Sequence, residues 1–169
     1  MGRPLWRIDG FVTAAGNRVV QEWFWDELQV EGCDALRDRM NYLTNVEKNL
    51  WQPPYFDWFG DIGEVRKHIS SGALRVYGFF SEEPHLFVFL HGVVKKKTKD
   101  REGIDLARLR LKRLKNGEGS TYEFDFKDRL SEETAPGQGC PDATRCLEPG
   151  GGNRVSDSGN TSRSEDDAS

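Results

Sequence analysis

GEVRKHISSGALRVYGFFSEEPHLFVFLHGVV occupies residues 63–94, and its punctuation decides the fold. Three runs rich in β-branched and aromatic residues, 63–70, 73–80 and 85–94, are separated by Ser71-Gly72 and by Ser-Glu-Glu-Pro. Both separators are turn formers, so an antiparallel meander of three strands is the economical reading. Successive side chains on a strand point to opposite faces. Glu64, Arg66 and His68 therefore share one face, and Arg75, Tyr77 and Phe79 share a face of the next strand. Val65, Ile69, Leu74, Val76 and Phe80 point the other way, and Leu86, Val88 and Leu90 are expected to complete that apolar side.

The meander sits inside a longer order of elements. Residues 5–12, LWRIDGFV, suit a strand. Ala-Ala-Gly-Asn then makes a turn, with Asn17 as the expected helix N-cap. Val20, Trp23, Phe24 and Leu28 recur at helical spacing, and Cys33, Leu36, Met40 and Leu43 do so again in a second helix, which makes Cys33 a small buried side chain. Pro53 and Pro54 forbid helix beyond it and impose an extended connection. Residues 102–115 read as a helix with Ile104, Ala107, Leu111 and Leu114 on one side, and 121–127 as a further strand. The expected class is α+β: an antiparallel or mixed sheet, two N-terminal helices on one face, and one more helix after the meander.

All nineteen aromatic residues lie at or before Phe126, and the last 39 residues, from Ser131, are rich in Gly, Ser and Asp. Such a segment cannot bury enough apolar surface to offset the entropy of ordering. A folded domain over 1–130 and a disordered acidic tail over 131–169 are expected. The N-terminus has no apolar leader and no stretch reaches the length of a membrane span, so a cytoplasmic protein without membrane contact is expected. The three cysteines fit neither a disulfide framework nor a zinc site, and no metal or cofactor is expected.

The net charge of −4 conceals an asymmetry. Residues 1–65 carry 6 Lys/Arg against 11 Asp/Glu, residues 66–115 carry 13 against 5, and residues 116–169 carry 5 against 12. Screening acts over about 8–10 Å, so the basic middle third has to be read on its own. With Lys95, Lys96 and Lys97 at the exit of the third meander strand, that third suits an anion, most naturally a nucleic-acid phosphate.

TAAGNRVVQEWFWDEL, PPYFDWFGDIGEVRK, LRVYGFF and FVFLHGVVKKKTKDREGIDLARLR follow one another along the chain. In that order they resemble the RelE/HigB superfamily of type II toxins, nearest to its phage-derived HigB-like branch, over about residues 5–115. The branch pairs a G-x-E-x-R strand with an R-V-x-x-F-F strand, followed by L-H-G-F-x-K-K-T-x-K and a helix of I-x-x-A-x-x-R type. Here Val93 replaces the usual Phe, a third lysine displaces the Thr, and Asp100-Arg101 stands where Thr-Pro is usual. The resemblance implies a RelE-like fold and a ribosome-dependent mRNA endoribonuclease that inhibits translation. It also implies a cognate antitoxin, expected to be of helix-turn-helix type, and contact with operator DNA only through the antitoxin complex.

For such a reaction the 2′-hydroxyl loses a proton and attacks the adjacent phosphate, whose added charge needs fixed cations. Arg75 matches the family's central-strand arginine and is expected to hold that charge, with little effect on melting when removed. Arg66 supports it from the neighbouring strand, and Lys95 or Lys96 moves a proton or holds the phosphate. A lysine crowded by cations has a lowered pKa and serves as base or acid. His91, in the matching L-H-G, is the remaining catalytic candidate, and Glu64 orients the arginines through bidentate bonds. Lys97, Lys99, Arg108, Arg110 and Lys112 are expected to bind RNA. Each cation also has a bland reading, as a cross-strand ion pair or a solvated face. Two other classes therefore stay open: a non-catalytic RNA-binding module and a protein-docking module.

Overall fold

The computed structural model describes residues 3–96 and 99–127. The expected tail lies outside them, as does Lys97. Strands β1 (Arg7–Thr13), β2 (Phe56–Phe59), β3 (Ile62–Ile69), β4 (Gly72–Phe80), β5 (Leu86–Lys95) and β6 (Gly119–Glu123) form one mixed sheet in the order β2-β3-β4-β5-β1-β6. The meander is antiparallel throughout, whereas β1 runs parallel to β5 and antiparallel to β6. Helix α1 (Val19–Glu22) passes directly into a π-helical turn, Trp23–Glu27, and α2 (Val30–Leu43) and α3 (Arg101–Lys115) complete the α+β architecture. Among the described residues no helix is long and apolar enough to cross a membrane.

Two apolar layers explain the order. On one face Val20, Phe24, Leu36, Met40 and Leu43 from the early helices pack on Val65, Leu74, Val76, Phe87 and Phe89. On the other face α3 lays Ala107 and Leu111 over Phe11, Ile62, Tyr77 and Leu90. The expected placement of Leu86, Val88 and Leu90 against the early helices is therefore corrected: Phe87 and Phe89 take that side, and Leu90 faces α3. The cause is a β-bulge. Tyr77 pairs with His91 but Gly78 pairs with Phe89, so Leu90 is an extra residue and alternation changes parity across it. Leu90 and His91 consequently both belong to the α3 side.

Three further expectations change. Asn17 does not cap α1; its backbone closes a turn on Thr13, through Thr13 N to Asn17 O at 3.0 Å and Asn17 N to Thr13 Oγ1 at 3.1 Å. The segment after Pro53-Pro54, a cis bond, is not mere connection but the edge strand β2. The last strand ends at Glu123, because the buried Gln21 side chain takes both the N–H and the C=O of Asp125, at 2.7 Å each. Trp25 Nε1 donates to Lys127 O at 2.9 Å and Arg37 Nε to Phe126 O at 2.6 Å, so residues 124–127 form a strap that delivers Phe124 and Phe126 to the aromatic core.

Candidate nucleic-acid interface

Register arranges the cationic face as a grid. Glu64, Arg66 and His68 on β3 lie opposite Tyr77, Arg75 and Ala73 on β4, which lie opposite His91, Val93 and Lys95 on β5. Helix α3 closes over the Tyr77 row, and the remainder opens to solvent beside the start of α3. Strand and residue spacings put the Cα atoms of Arg66 and Lys95 roughly 12 Å apart, within the combined reach of two long side chains.

One end of the grid is organised by Glu64, whose side chain has no exposed surface. It accepts from Arg66 Nε at 2.5 Å and lies 3.3 Å from Arg75 Nη1. Asp57 on β2 approaches Arg66 Nη2 at 3.3 Å. Arg66 keeps 30% of its side chain exposed, whereas Arg75 keeps 5%. Arg75 is thus a buried brace behind Arg66, and Arg66 is the arginine of the pair that solvent reaches.

The other end is organised by Asp100, which sequence reading noticed only as a departure from Thr-Pro. Asp100 is buried; it accepts from Lys95 Nζ at 2.6 Å, from the Tyr77 hydroxyl at 3.2 Å and from Gly103 N at 3.2 Å, so it caps α3 while holding Lys95. A short carboxylate just before a helical pattern was the signal that could have found it. Burial alone would raise its pKa, but the Lys95 ammonium, the Gly103 N–H and the Tyr77 hydroxyl together hold it below the ordinary value. Burial, with Glu64 and Asp100 adding, pushes the Tyr77 phenol up, so it stays protonated and donates. Gly103 is required by close approach: a Cβ there would stand 2.1 Å from Asp100 Oδ2.

Lys95 is bonded by Asp100 and then Glu102, the latter at 3.1 Å, and its pKa is raised. That is the reverse of the shift a proton-relay lysine needs, and it suits a fixed positive charge. Lys96 and Lys99 are exposed and share with Lys95 and Arg101 a groove of about 680 Å³.

His91 is separated from this groove. It stacks on Tyr77 with ring centroids 6.2 Å apart, and it lines a different groove with Trp23, Glu22, Glu27 and Arg110. Gly92, beside it, lies under the Trp23 ring, where a Cβ would come within 2.2 Å. Burial, then the charges of Arg110 and Lys95, lower the His91 pKa to about 4, so it is neutral near pH 7. The sign of the consequence follows from linkage. The unfolded chain takes up the proton near 6.5 and the folded one only near 4, so this contribution to stability is intact above 6.5 and lost as pH falls towards 4. We expect up to about 3 kcal/mol of acid-side destabilisation from this residue. Urea midpoints of the parent and His91→Asn between those pH values measure it; identical slopes for the two proteins would dismiss it.

The helix cations divide. Arg110 turns inward, donating to Leu90 O at 2.7 Å, and Arg108 braces the β2–β3 turn by donating to Phe59 O at 3.0 Å. Lys112 is exposed. The site thus brings Arg66, Arg75, Lys95 and Glu64 onto one face with Lys96 and Lys99 beside it, and leaves His91 and Arg110 in another groove.

No known protein-family model matches the chain, and neither does any curated protein.

Proposed function

We propose that this chain is the toxin of a type II toxin–antitoxin system, with a RelE-like fold, that cleaves mRNA on the ribosome and is silenced by a cognate antitoxin. The ordered motifs support this reading, and a six-stranded mixed sheet with three helices is compatible with it. The single observation that carries it is the cross-strand pair Arg66–Arg75, with Lys95 on the same face of the next strand. In the reaction the bond from O2′ to phosphorus forms and the bond from phosphorus to O5′ breaks. Arg66 and Lys95 hold the charge that builds on phosphate, and Arg75 keeps Arg66 and Glu64 in place. Water takes the 2′ proton, and the Lys96 ammonium, exposed beside Lys95, gives one to the departing O5′. The antitoxin, of helix-turn-helix type, silences the toxin by covering this face with acidic or strand-adding segments, and operator DNA is reached only through that complex.

Arg66→Ala should slow single-turnover cleavage on programmed ribosomes by about 10²-fold, the scale of losing one donor to a developing oxyanion. Arg108→Ala should instead weaken ribosome association and leave the chemical step alone. A rate for Arg66→Ala within about threefold of the parent on saturated ribosomes removes Arg66 from the chemistry.

One observation favours a second reading, a non-catalytic RNA-binding module. Asp57, Glu64, Asp100 and Glu102 already neutralise Arg66, Arg75 and Lys95, and phosphate would have to compete with them. Salt-dependent RNA binding without cleavage selects that module.

A further inference from the structure

The opposite side of the sheet edge carries a feature that the reaction does not use. Among the described residues, the exposed large apolar side chains include Tyr42, Leu50, Tyr55 and Trp58, all between the end of α2 and β2. Trp58 is 48% exposed, yet its ring is held in place, 5.0 Å from Phe56 and 5.5 Å from Phe80. Tyr55 rests on Tyr42 at 5.1 Å. Two cations lie on these rings: Arg39 over Tyr55 at 4.4 Å, and Lys48 over Phe80 at 4.5 Å and Trp58 at 5.8 Å.

What distinguishes Arg39 and Lys48 from Arg66, Arg75 and Lys95 is the lack of a carboxylate. Among the described residues neither forms an ion pair, and Arg39 Nη1 is buried without a hydrogen-bond partner. Fixed aromatic faces beside un-neutralised cations are complementary to a ligand that is both aromatic and anionic. The position fits the same ligand. Asp57 and Trp58 are neighbours on the edge strand β2: Asp57 reaches Arg66 on one face, and Trp58 points to the other.

We propose that Tyr55 and Trp58, with Arg39 and Lys48, form a stacking subsite for single-stranded RNA that continues round the β2 edge from the Arg66 face. Bases stack on Tyr55 and Trp58, and phosphates take Arg39 and Lys48, the combination that sequence-tolerant single-strand binders use. The choice of RNA rests on the proposed function, whereas the subsite itself needs no cleavage.

The probe is a short fluorescein-labelled 2′-O-methyl oligoribonucleotide, which cannot be cut, titrated at low and moderate salt against the full chain. Trp58→Ala should weaken binding by about 5- to 150-fold, the worth of one stacked base. Trp58→Phe should retain most of it, and Arg39→Gln should flatten the salt dependence. Thermal melts of each variant exclude misfolding, and Tyr55→Ala gives a second route should Trp58→Ala fail to fold. Binding by Trp58→Ala within about twofold of the parent overturns the proposal. So does loss of self-association in Trp58→Ala with RNA binding intact, which would make the patch a protein contact. Trp58-dependent binding by a chain that never cuts mRNA on ribosomes would sink the nuclease reading and leave the subsite standing.

Discussion

Arg75→Ala is expected to destabilise the fold by about 3–5 kcal/mol, because it leaves the buried Glu64 balanced by the part-exposed Arg66 alone and empties the space of a long buried side chain. Glu64 has no exposed side-chain surface, and among the described residues its other ion pair is with Arg66, at 2.5 Å. For a domain of this size the loss corresponds to a fall of about 10–20 °C in Tm. The contrast is Glu64→Gln combined with Arg75→Met, which removes both charges and should recover much of the loss, since well-packed apolar or neutral replacements of buried pairs are often tolerated. Urea denaturation of the three proteins provides the measurement. Were Arg75→Ala to melt within about 2 °C of the parent, the brace would be dispensable, and the sequence-based expectation of a purely catalytic arginine would regain its ground.

Cutting the chain after Glu123 should be more damaging than any single substitution, whereas cutting it after Leu130 should change little. The first cut removes Phe124 and Phe126 from a ring cluster in which Phe124 lies 5.4 Å from Phe24 and 5.0 Å from Phe89. It also leaves Gln21, nearly fully buried, without the backbone of Asp125. A buried Phe is worth about 3–5 kcal/mol on truncation, and an orphaned buried amide adds about 1–3. The shorter fragment is expected to be largely unfolded at 25 °C by near-ultraviolet circular dichroism. A native spectrum from it would mean that the strap is ornament to a core complete without it.

Much of this architecture was legible in the residues, for identifiable reasons. The meander announced itself through turn chemistry that acts locally, and Cys33, Leu36, Met40 and Leu43 fell on the buried side of α2 because helical periodicity acts locally too. Arg66 and Arg75 were correctly put on one face, since no irregularity intervenes within either run. From Leu86 to Leu90 the same rule failed, because a bulge depends on what the neighbouring strand requires. Edge strand β2 escaped notice for a related reason: four residues after two prolines become a strand only because β3 offers them a ladder. At the site, residue type and face were readable but depth was not. Nothing in LRVYGFF distinguishes an arginine that meets solvent from one that is buried against Glu64. Nor could spacing show that Asp100 would draw Lys95 and the Tyr77 hydroxyl to one carboxylate.

The parallel pairing of β1 with β5 also bears on how the protein is made. Arg7 finds Leu86 as its ladder partner, and β6, its neighbour on the other side, begins later still at Gly119. At translation speeds of about 5–20 residues per second, β1 waits about 4–16 s for its first neighbour. Over that interval Ile8, Phe11 and Val12 lie on a strand with two open edges, the configuration most prone to pairing with another chain. Strands β2 to β5 are contiguous and can zip together as they emerge. The nascent protein thus assembles its cation-bearing face before its sheet is complete, and β6 is added last, on the outer edge of β1.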